Sequence, residues 1–354
     1  MRPQYLPFAD WLKAVGLTLI VYGHVAAATT VRWTPPVYPK QLGVAFFVFA
    51  TAFTLAREQR SRARVIYNRM FEVFCVGLLI AILMSTVSAF VRSDLNESNY
   101  LPLVGLHLFI GDFPANPTTW YIGTYLHMLL LWAFVLRGLR ITGAILLPAI
   151  VLEIVIRAAL MRAAGGHVAY MALSNWLTVL LLGLAAGQKH PADETAFAKR
   201  SLWAVPLMAV WPFAVAPIPW RHTFPFMSVN GIGILGSTLV VAAASSVVYT
   251  GFTLAAYAVA RRLPHAAFVQ FLARNTVVVF IVHMPVYYVL EYLLRPLVPA
   301  YAPRVTIEFL MCLPGLALLS EQLRSALPPT VLRDRIAARF ERLRGGDPAI
   351  SSGS

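Results

Sequence analysis

The sequence is poor in charge, and poorest in acidic residues. Only 12% of its 354 residues are charged, and 15 Asp and Glu stand against 29 Lys and Arg. A soluble domain carries roughly 25% charged residues, so a water-soluble globular fold is excluded. The mean hydropathy of +0.69 and repeated apolar runs of about 20 residues instead predict an all-α fold, a polytopic transmembrane helix bundle.

Cysteine is also scarce. Cys75 and Cys312 both lie inside apolar runs, which provides neither a disulfide framework nor the spacing of a metal site. We therefore expect two small buried side chains, no metal and no bound cofactor. The net charge of +14 does not indicate nucleic-acid binding, because the basic residues lie in short loops between apolar segments, as they do in membrane proteins.

Ten apolar segments are candidate membrane spans, separated by stretches rich in Pro and Gly that break helices. We expect the first to be an uncleaved helix, because Asp10 lies where a signal peptide would be basic. The segments are 8–28, 41–56, 69–91, 119–137, 140–157, 172–188, 201–219, 235–260, 268–294 and 303–323.

Basic residues predict the orientation of the bundle. The flanks on the same side as both termini hold 19 Lys and Arg, whereas the opposite flanks hold 8. Because the richer side faces the cytoplasm, we expect both termini to be cytoplasmic. The membrane domain would cover 1–323, a basic amphipathic helix over 324–344 would lie on the inner membrane surface, and the tail 345–354 would be disordered.

The first segment carries three ionisable residues, Asp10, Lys13 and His24. Lys13 and His24 are eleven residues apart, so on a regular helix they share a face and differ in height by about 16 Å. Asp10 lies on the same face and can pair with Lys13. Such a seam must face protein or a water-filled cavity rather than lipid. Snorkelling of Lys13 to the interface and a simple hydrogen bond from His24 are the structural alternatives.

Other ionisable residues also lie inside apolar segments. Glu153 and Glu291 each precede an arginine by four residues, and we expect Glu153–Arg157 and Glu291–Arg295 to be structural ion pairs. Buried charges also line the pathways of secondary transporters. A transporter or a flippase for a glycan or lipid-linked substrate is therefore an alternative function, although we find no inverted repeat with broken helices.

Five stretches, in order, resemble acyltransferase family 3, a family of bacterial integral-membrane O-acyltransferases. "KAVGLTLIVYGH" is similar to its first-helix pattern of a basic residue, ten residues and a histidine, here Lys13 and His24. "GVAFFVFATAFTLARE" and "REQRSRARVIYNR" are similar to its second helix, with Ala52 in place of a glycine, and to its Arg-x-x-Arg loop, with Arg57 and Arg60. "TTWYIGTYLHMLLL" and "LARNTVVVFIVHMPV" are similar to its later motifs.

The resemblance implies that an acyl group, acetyl or succinyl, passes from cytoplasmic acyl-CoA to a hydroxyl of an extracytoplasmic glycan, glycolipid or related acceptor. It makes His24 the general base, or a nucleophile that forms an acyl-imidazole, with Asp10 as support for Lys13. It also implies a multi-pass protein of the bacterial inner membrane, with membrane lipids as partners. The substrate-binding residues would be Lys13, Arg57, Arg60, Arg69, Trp120, Tyr121, Asn275 and His283.

Each of these assignments has a structural alternative. The arginines could reflect only the positive-inside rule, and Trp120 and Tyr121 could belong to an aromatic belt at the outer interface. His283 precedes Pro285 by two residues, so it could merely satisfy the backbone carbonyl that the proline leaves free. Tyr125 stands where many relatives have glutamate, so no acidic role is expected there.

Overall fold

The computed structural model describes residues 6–26, 39–92, 99–110, 116–215, 234–326 and 328–344. Across these residues the chain forms helices and no strands, which confirms the all-α class. The tail 345–354 lies outside the described residues. The α-helices are α1 (Pro7–Val25), α2 (Pro39–Ala56), α3 (Arg62–Arg92), α4 (His107–Ile110), α5 (Trp120–Leu131), α6 (Gly143–Ala163), α7 (Gly165–Met171), α8 (Leu177–Gly187), α9 (Pro191–Ser201), α10 (Ala204–Val215), α11 (Ile234–Ala260), α12 (Ala267–Arg274), α13 (Thr276–Leu297), α14 (Tyr301–Leu310), α15 (Leu316–Ala326) and α16 (Pro329–Arg344).

Several helices are long and apolar enough to cross a membrane. Among the described residues these are α3, α6, α11, α13 and the continuous helix from α14 to α15, and the bent pair of α7 and α8 makes a sixth if it is one span. Their outer faces carry exposed leucines such as Leu79 and Leu147. Exposed apolar surface of this extent indicates contact with lipid.

α1 lies at the centre of the bundle. It packs against α2 most extensively and also against α11, α12, α13 and α14. Its buried residues, from Phe8 and Leu12 to Val21 and Val25, cover most of the helix surface, and only the stripe that holds Val15 and Tyr22 is exposed. This central position explains how one helix can carry Asp10, Lys13 and His24, because its polar face meets protein rather than lipid.

Close packing of α2 depends on glycines of the neighbouring helices. A Cβ on Gly16 of α1 would lie 2.9 Å from the carbonyl oxygen of Gly43, so the two backbones touch. On the other side of α2, a Cβ on Gly183 of α8 would lie 2.7 Å from that of Ala52. Small residues let helix backbones approach each other inside a membrane. The helices therefore pack closely at Ala52, although alanine replaces the glycine of the motif that this stretch resembles.

The predicted segment 268–294 is broken in the structure. It divides into α12 and α13 at Asn275, whose side-chain NH2 donates to the Phe271 carbonyl and to Glu321, each at 2.9 Å. The Oδ1 atom of Asn275 accepts a hydrogen bond from Ser320 at 2.7 Å. An asparagine commonly hydrogen-bonds to nearby backbone groups and so ends a helix. The break sets the direction in which α13 enters the bundle.

The pairing of the buried charges was predicted correctly in one case and wrongly in another. Arg157 and Glu153 form the expected ion pair at 2.6 Å, fully enclosed between α6, α8 and α11. Glu291 does not pair with Arg295 but with Arg304 of α14, at 3.1 Å. The partner comes from the next helix, which sequence spacing within α13 does not reveal.

The expectation that both cysteines are buried is also only half right. Cys312 is buried, whereas Cys75 is exposed. Cys75 lies on α3, near the exposed residues Phe74 and Leu79. An apolar run in a membrane helix can face lipid as well as protein, and the run alone does not distinguish the two.

The contact between α1 and α2 gives a stability prediction. Gly43→Ala should lower the free energy of unfolding by about 1–3 kcal/mol, because the new Cβ would overlap the Gly16 carbonyl and force the helices apart. The measurement is the apparent melting temperature of the purified protein in detergent. Gly143→Ala is the matched control, since a Cβ there meets no atom within 4 Å. Equal melting temperatures for the two variants would contradict the proposed packing.

Candidate active site

A cavity of about 390 Å³ is lined by residues of α1, α2, α3, α5, α12, α13 and α15. One end is lined by four basic residues, and the other by aromatic and apolar side chains. The basic residues are Lys13, Arg69, Arg274 and Arg324, and the aromatic residues are Phe47, Tyr121, Tyr125 and Phe280. A positively charged entrance followed by an apolar wall suits a ligand with an anionic head and an apolar arm.

Lys13 and Arg69 were both predicted from the sequence, and the structure places them together. Each interacts electrostatically with the other, and Lys13 also interacts with Asp10, as the spacing along α1 predicted. Arg69 donates from Nη2 to Thr54 at 2.9 Å, while its Nε is buried with no hydrogen-bond partner. A buried, unpaired guanidinium N–H beside a second cation favours the binding of an anion.

Arg274 and Arg324 complete the basic end of the cavity and were missed as site residues. Arg274 pairs with Glu321 at 2.9 Å, and Arg324 pairs with Glu72 at 2.5 Å. The guanidinium of Arg324 also donates to the carbonyl of Arg274. A signal was present in the sequence, because Arg274 falls inside an apolar segment, where an ionisable residue indicates function.

Arg57 and Arg60 lie away from this cavity. Arg57 donates to the Gly187 carbonyl and to Glu194, the latter at 2.6 Å, and Glu194 also pairs with Arg261 at 2.9 Å. Arg57 thereby ties α2 to α8, α9 and α11. The geometry favours a structural role for this arginine, and substrate binding by it stays a prediction.

Arg60 has its partner in the loop between α2 and α3. Its guanidinium donates two hydrogen bonds to Glu58, at 2.8 and 2.5 Å. These hydrogen bonds hold the pKa of the Glu58 carboxyl at about 2, so the pair stays ionised at neutral pH. A phosphate would have to compete with this carboxylate for Arg60.

His24 and His283 face each other, which the sequence could not reveal. Their ring centroids are 5.3 Å apart, with His24 half-buried and His283 fully buried. The Nδ1 atom of His283 lies 3.0 Å from the carbonyl oxygens of Val279 and Phe280. Carbonyls only accept, so Nδ1 carries the proton and Nε2 is the unprotonated nitrogen. This Nε2 is buried with no hydrogen-bond partner.

Two further basic side chains lie near this histidine pair. Lys40, the second residue of α2, interacts electrostatically with His24 and also with His167 of α7. Neither Lys40 nor His167 was predicted to belong to the site. Lys40 and His167 lie near the histidine pair because the first residues of α2 and α7 come close to the last residues of α1.

The carbonyl freed by Pro285 is not satisfied by His283. That carbonyl belongs to Ile281, four residues before the proline, and it accepts a hydrogen bond from the side-chain NH2 of Asn116 at 2.8 Å. Asn116 is buried, and its Oδ1 accepts a hydrogen bond from the Thr118 hydroxyl at 2.8 Å. The turn before α5 therefore binds α13 at Ile281, two residues before His283. Asn116 therefore satisfies the carbonyl that Pro285 frees, whereas His283 bonds to the carbonyls of Val279 and Phe280, and a substrate-binding role for His283 stays a prediction.

The remaining predicted residues are buried in the protein. Trp120 is 4% exposed and packs against Tyr170 and Trp176, and its binding of substrate stays a prediction. Tyr121 is 8% exposed, lines the cavity and has a hydroxyl without a hydrogen-bond partner. Asn275 uses its polar atoms within the protein and does not line the cavity.

The long apolar helices suggest a membrane protein, and the cationic cavity and the histidine pair lie inside its helix bundle. The family model of acyltransferase family 3, described as an acyltransferase domain, matches residues 6–320. The chain therefore belongs to acyltransferase family 3, and this membership supports an acyltransferase activity. Searches of curated proteins and of solved structures each found no significant match.

The hydrogen bond from Asn116 to Ile281 generates a prediction. Asn116→Ala leaves a buried carbonyl unpaired, which should reduce the free energy of unfolding by about 1–3 kcal/mol. The change should appear as a lower melting temperature in detergent. Thr306→Ala, which removes an exposed bond within one helix, serves as the control and should have little effect. A melting temperature unchanged by Asn116→Ala would refute the role assigned to this side chain.

Proposed function

We propose that this chain is a membrane-bound O-acyltransferase. It moves an acyl group, acetyl or succinyl, from cytoplasmic acyl-CoA to a hydroxyl of an extracytoplasmic glycan, glycolipid or related acceptor. The supporting observation is a histidine pair that lies beyond Phe280 from a cation-lined cavity, in a member of acyltransferase family 3. Phe280 connects the two features, since it lines the cavity and its ring centroid lies 6.4 Å from that of His283.

In the proposed reaction His24 is the general base. It takes the proton of the acceptor hydroxyl while the hydroxyl oxygen attacks the thioester carbonyl, a type of assistance worth about 10²–10⁴-fold in rate. A C–O bond forms and the C–S bond breaks. The departing thiolate then receives the proton from His24, so the products are an ester and free CoA. The attacking hydroxyl has a single proton, which goes to His24. The free Nε2 of His283 can instead accept a hydrogen bond from a neighbouring hydroxyl of the acceptor and so help to position the acceptor.

The basic end of the cavity is the proposed site for the phosphates of acyl-CoA. Lys13 and Arg69 lie there together, and the Nε of Arg69 has no partner in the protein. Arginine binds phosphate through short, charge-assisted hydrogen bonds. Acyl-CoA acts as a co-substrate in this scheme, and the chemistry uses no bound cofactor.

The proposed topology has ten spans with both termini in the cytoplasm of a bacterial inner membrane. Six spans correspond to the long helices and the bent pair of α7 and α8. The other four would be α1, α2, α5 and α10, which are shorter or more polar. The excess of Lys and Arg on the flanks that lie on the same side as both termini supports the orientation.

The role of His24 can be tested directly. His24→Ala should abolish transfer of radiolabelled acetyl from acetyl-CoA to an envelope extract, because the proposed general base is lost. His265→Ala, at an exposed histidine, is the matched control and should transfer at the wild-type rate. Normal transfer by folded His24→Ala protein would disprove the assignment. Label retained on denatured wild-type protein would indicate an acyl-imidazole intermediate instead of direct transfer.

A second test compares Arg69, which lines the cavity, with Arg60, which does not. Arg69→Gln should raise KM for acyl-CoA roughly tenfold, because a charge-assisted hydrogen bond to phosphate is lost, and should change kcat less. Arg60→Gln should leave KM unchanged, because Arg60 lies outside the cavity and is held by Glu58. Steady-state kinetics with varied acyl-CoA measures both effects. A larger effect of Arg60→Gln than of Arg69→Gln would reverse the assignment.

A further inference from the structure

Three aromatic rings close the apolar end of the cavity. Phe47, Tyr121 and Phe280 all line it. Their ring centroids lie 6.4 Å apart for Phe47 and Tyr121, 5.8 Å for Phe47 and Phe280, and 5.4 Å for Tyr121 and Phe280. Each ring therefore contacts the other two. The rings come from α2, α5 and α13, so three helices meet at this point.

One member of this aromatic triad of Phe47, Tyr121 and Phe280 connects the cavity with the histidine pair, since Phe280 lines the cavity and its ring lies beside that of His283. Phe280 is one turn before His283 on α13, with ring centroids 6.4 Å apart, whereas neither histidine lines the cavity. A group that extends from the basic end of the cavity along α13 towards His283 meets the ring of Phe280, against which Phe47 and Tyr121 pack. The triad thus lies where the reacting end of a donor would be.

Two unpaired polar atoms lie on either side of Phe280. The hydroxyl of Tyr121 and the Nε2 of His283 are both buried without hydrogen-bond partners. Unpaired buried polar groups are costly in a native protein and indicate a missing partner. A thioester or amide carbonyl could accept the hydrogen bond of the Tyr121 hydroxyl, and an acceptor hydroxyl could donate to His283.

We propose that the aromatic triad forms the acyl-binding end of the donor cavity and restricts transfer to short acyl groups. The inference rests on the proposed function, since it assumes an acyl-CoA donor. When the acyl carbonyl lies next to the histidines, the rest of the acyl chain must fit into the space between the three rings. Each added methylene must then displace a packed ring, and overpacking of this kind is unfavourable.

The packing around the triad explains why the limit on acyl length would be sharp. Phe47 and Phe280 are 6% exposed and Tyr121 is 8% exposed. On one side Phe47 presses against Gly16, where a Cβ would lie 3.1 Å from its ring. The α1–α2 crossing therefore leaves Phe47 little freedom to move away. Phe280 is similarly placed between the rings of Phe47, Tyr121 and His283.

The experiment compares kcat/KM for acetyl-CoA and hexanoyl-CoA in purified protein with an envelope extract as acceptor. Wild type should prefer acetyl-CoA. Phe280→Ala should raise the hexanoyl-to-acetyl ratio at least about tenfold, since one methylene alone is worth about 10-fold or more in a shaped pocket. Phe47→Leu and Phe280→Leu are milder variants that keep the test valid if the alanine variant does not fold.

Phe53→Leu is the matched control for these variants. Phe53 lies on α2 like Phe47, but it packs against Phe8 and Tyr257 and does not line the cavity. The hexanoyl-to-acetyl ratio of kcat/KM for Phe53→Leu should equal that of wild type. An unchanged ratio in the folded triad variants, or a wild type that uses both donors equally, would overturn the acyl-size inference alone. A wild type that transfers from neither donor would overturn the proposed function as well.

Discussion

The structure depends on the direct contact of the α1 and α2 backbones at Gly16 and Gly43. This contact draws α1 into the centre of the bundle, where α11, α12, α13 and α14 can surround it. Burial in protein, rather than in lipid, lets α1 carry Lys13 near one end and His24 near the other at a tolerable cost. The same crossing also holds Phe47 against Gly16, so it shapes the cavity as well as the core.

Two polar regions are built on this central helix, and interrupted helices supply their partners. At one end the break at Asn275 places Arg274 beside the cavity that Lys13 and Arg69 also line. At the other end Pro285 frees the carbonyl of Ile281, which Asn116 then binds, next to His283. Interruptions of regular helices are tolerated in membrane proteins when nearby side chains satisfy the freed backbone groups. Here those side chains also position the candidate site.

Much of the candidate site could be predicted from α1 because helix geometry is local. The spacing of Asp10, Lys13 and His24 predicted one shared face, and the electrostatic contact between Asp10 and Lys13 agrees with it. Contacts between residues of different helices were harder to predict. Arg57 and Arg60 matched a motif, yet their guanidiniums pair with Glu194 and Glu58. Glu291 pairs across helices with Arg304. Pairing of this kind depends on which helices become neighbours, and no spacing along the chain records that.

The sequence by itself determined the all-α class, the polar seam on α1, the Glu153–Arg157 pair and the likeness to acyltransferase family 3. Each follows from a period, a spacing or a motif within one stretch of chain. Only the tertiary structure decided that His24 faces His283, that Arg69 rather than Arg57 lines the cavity, and that Phe47, Tyr121 and Phe280 meet at its apolar end. These contacts join residues far apart in the chain, and they are fixed by how closely the helices can pack, above all where glycine lets two backbones touch.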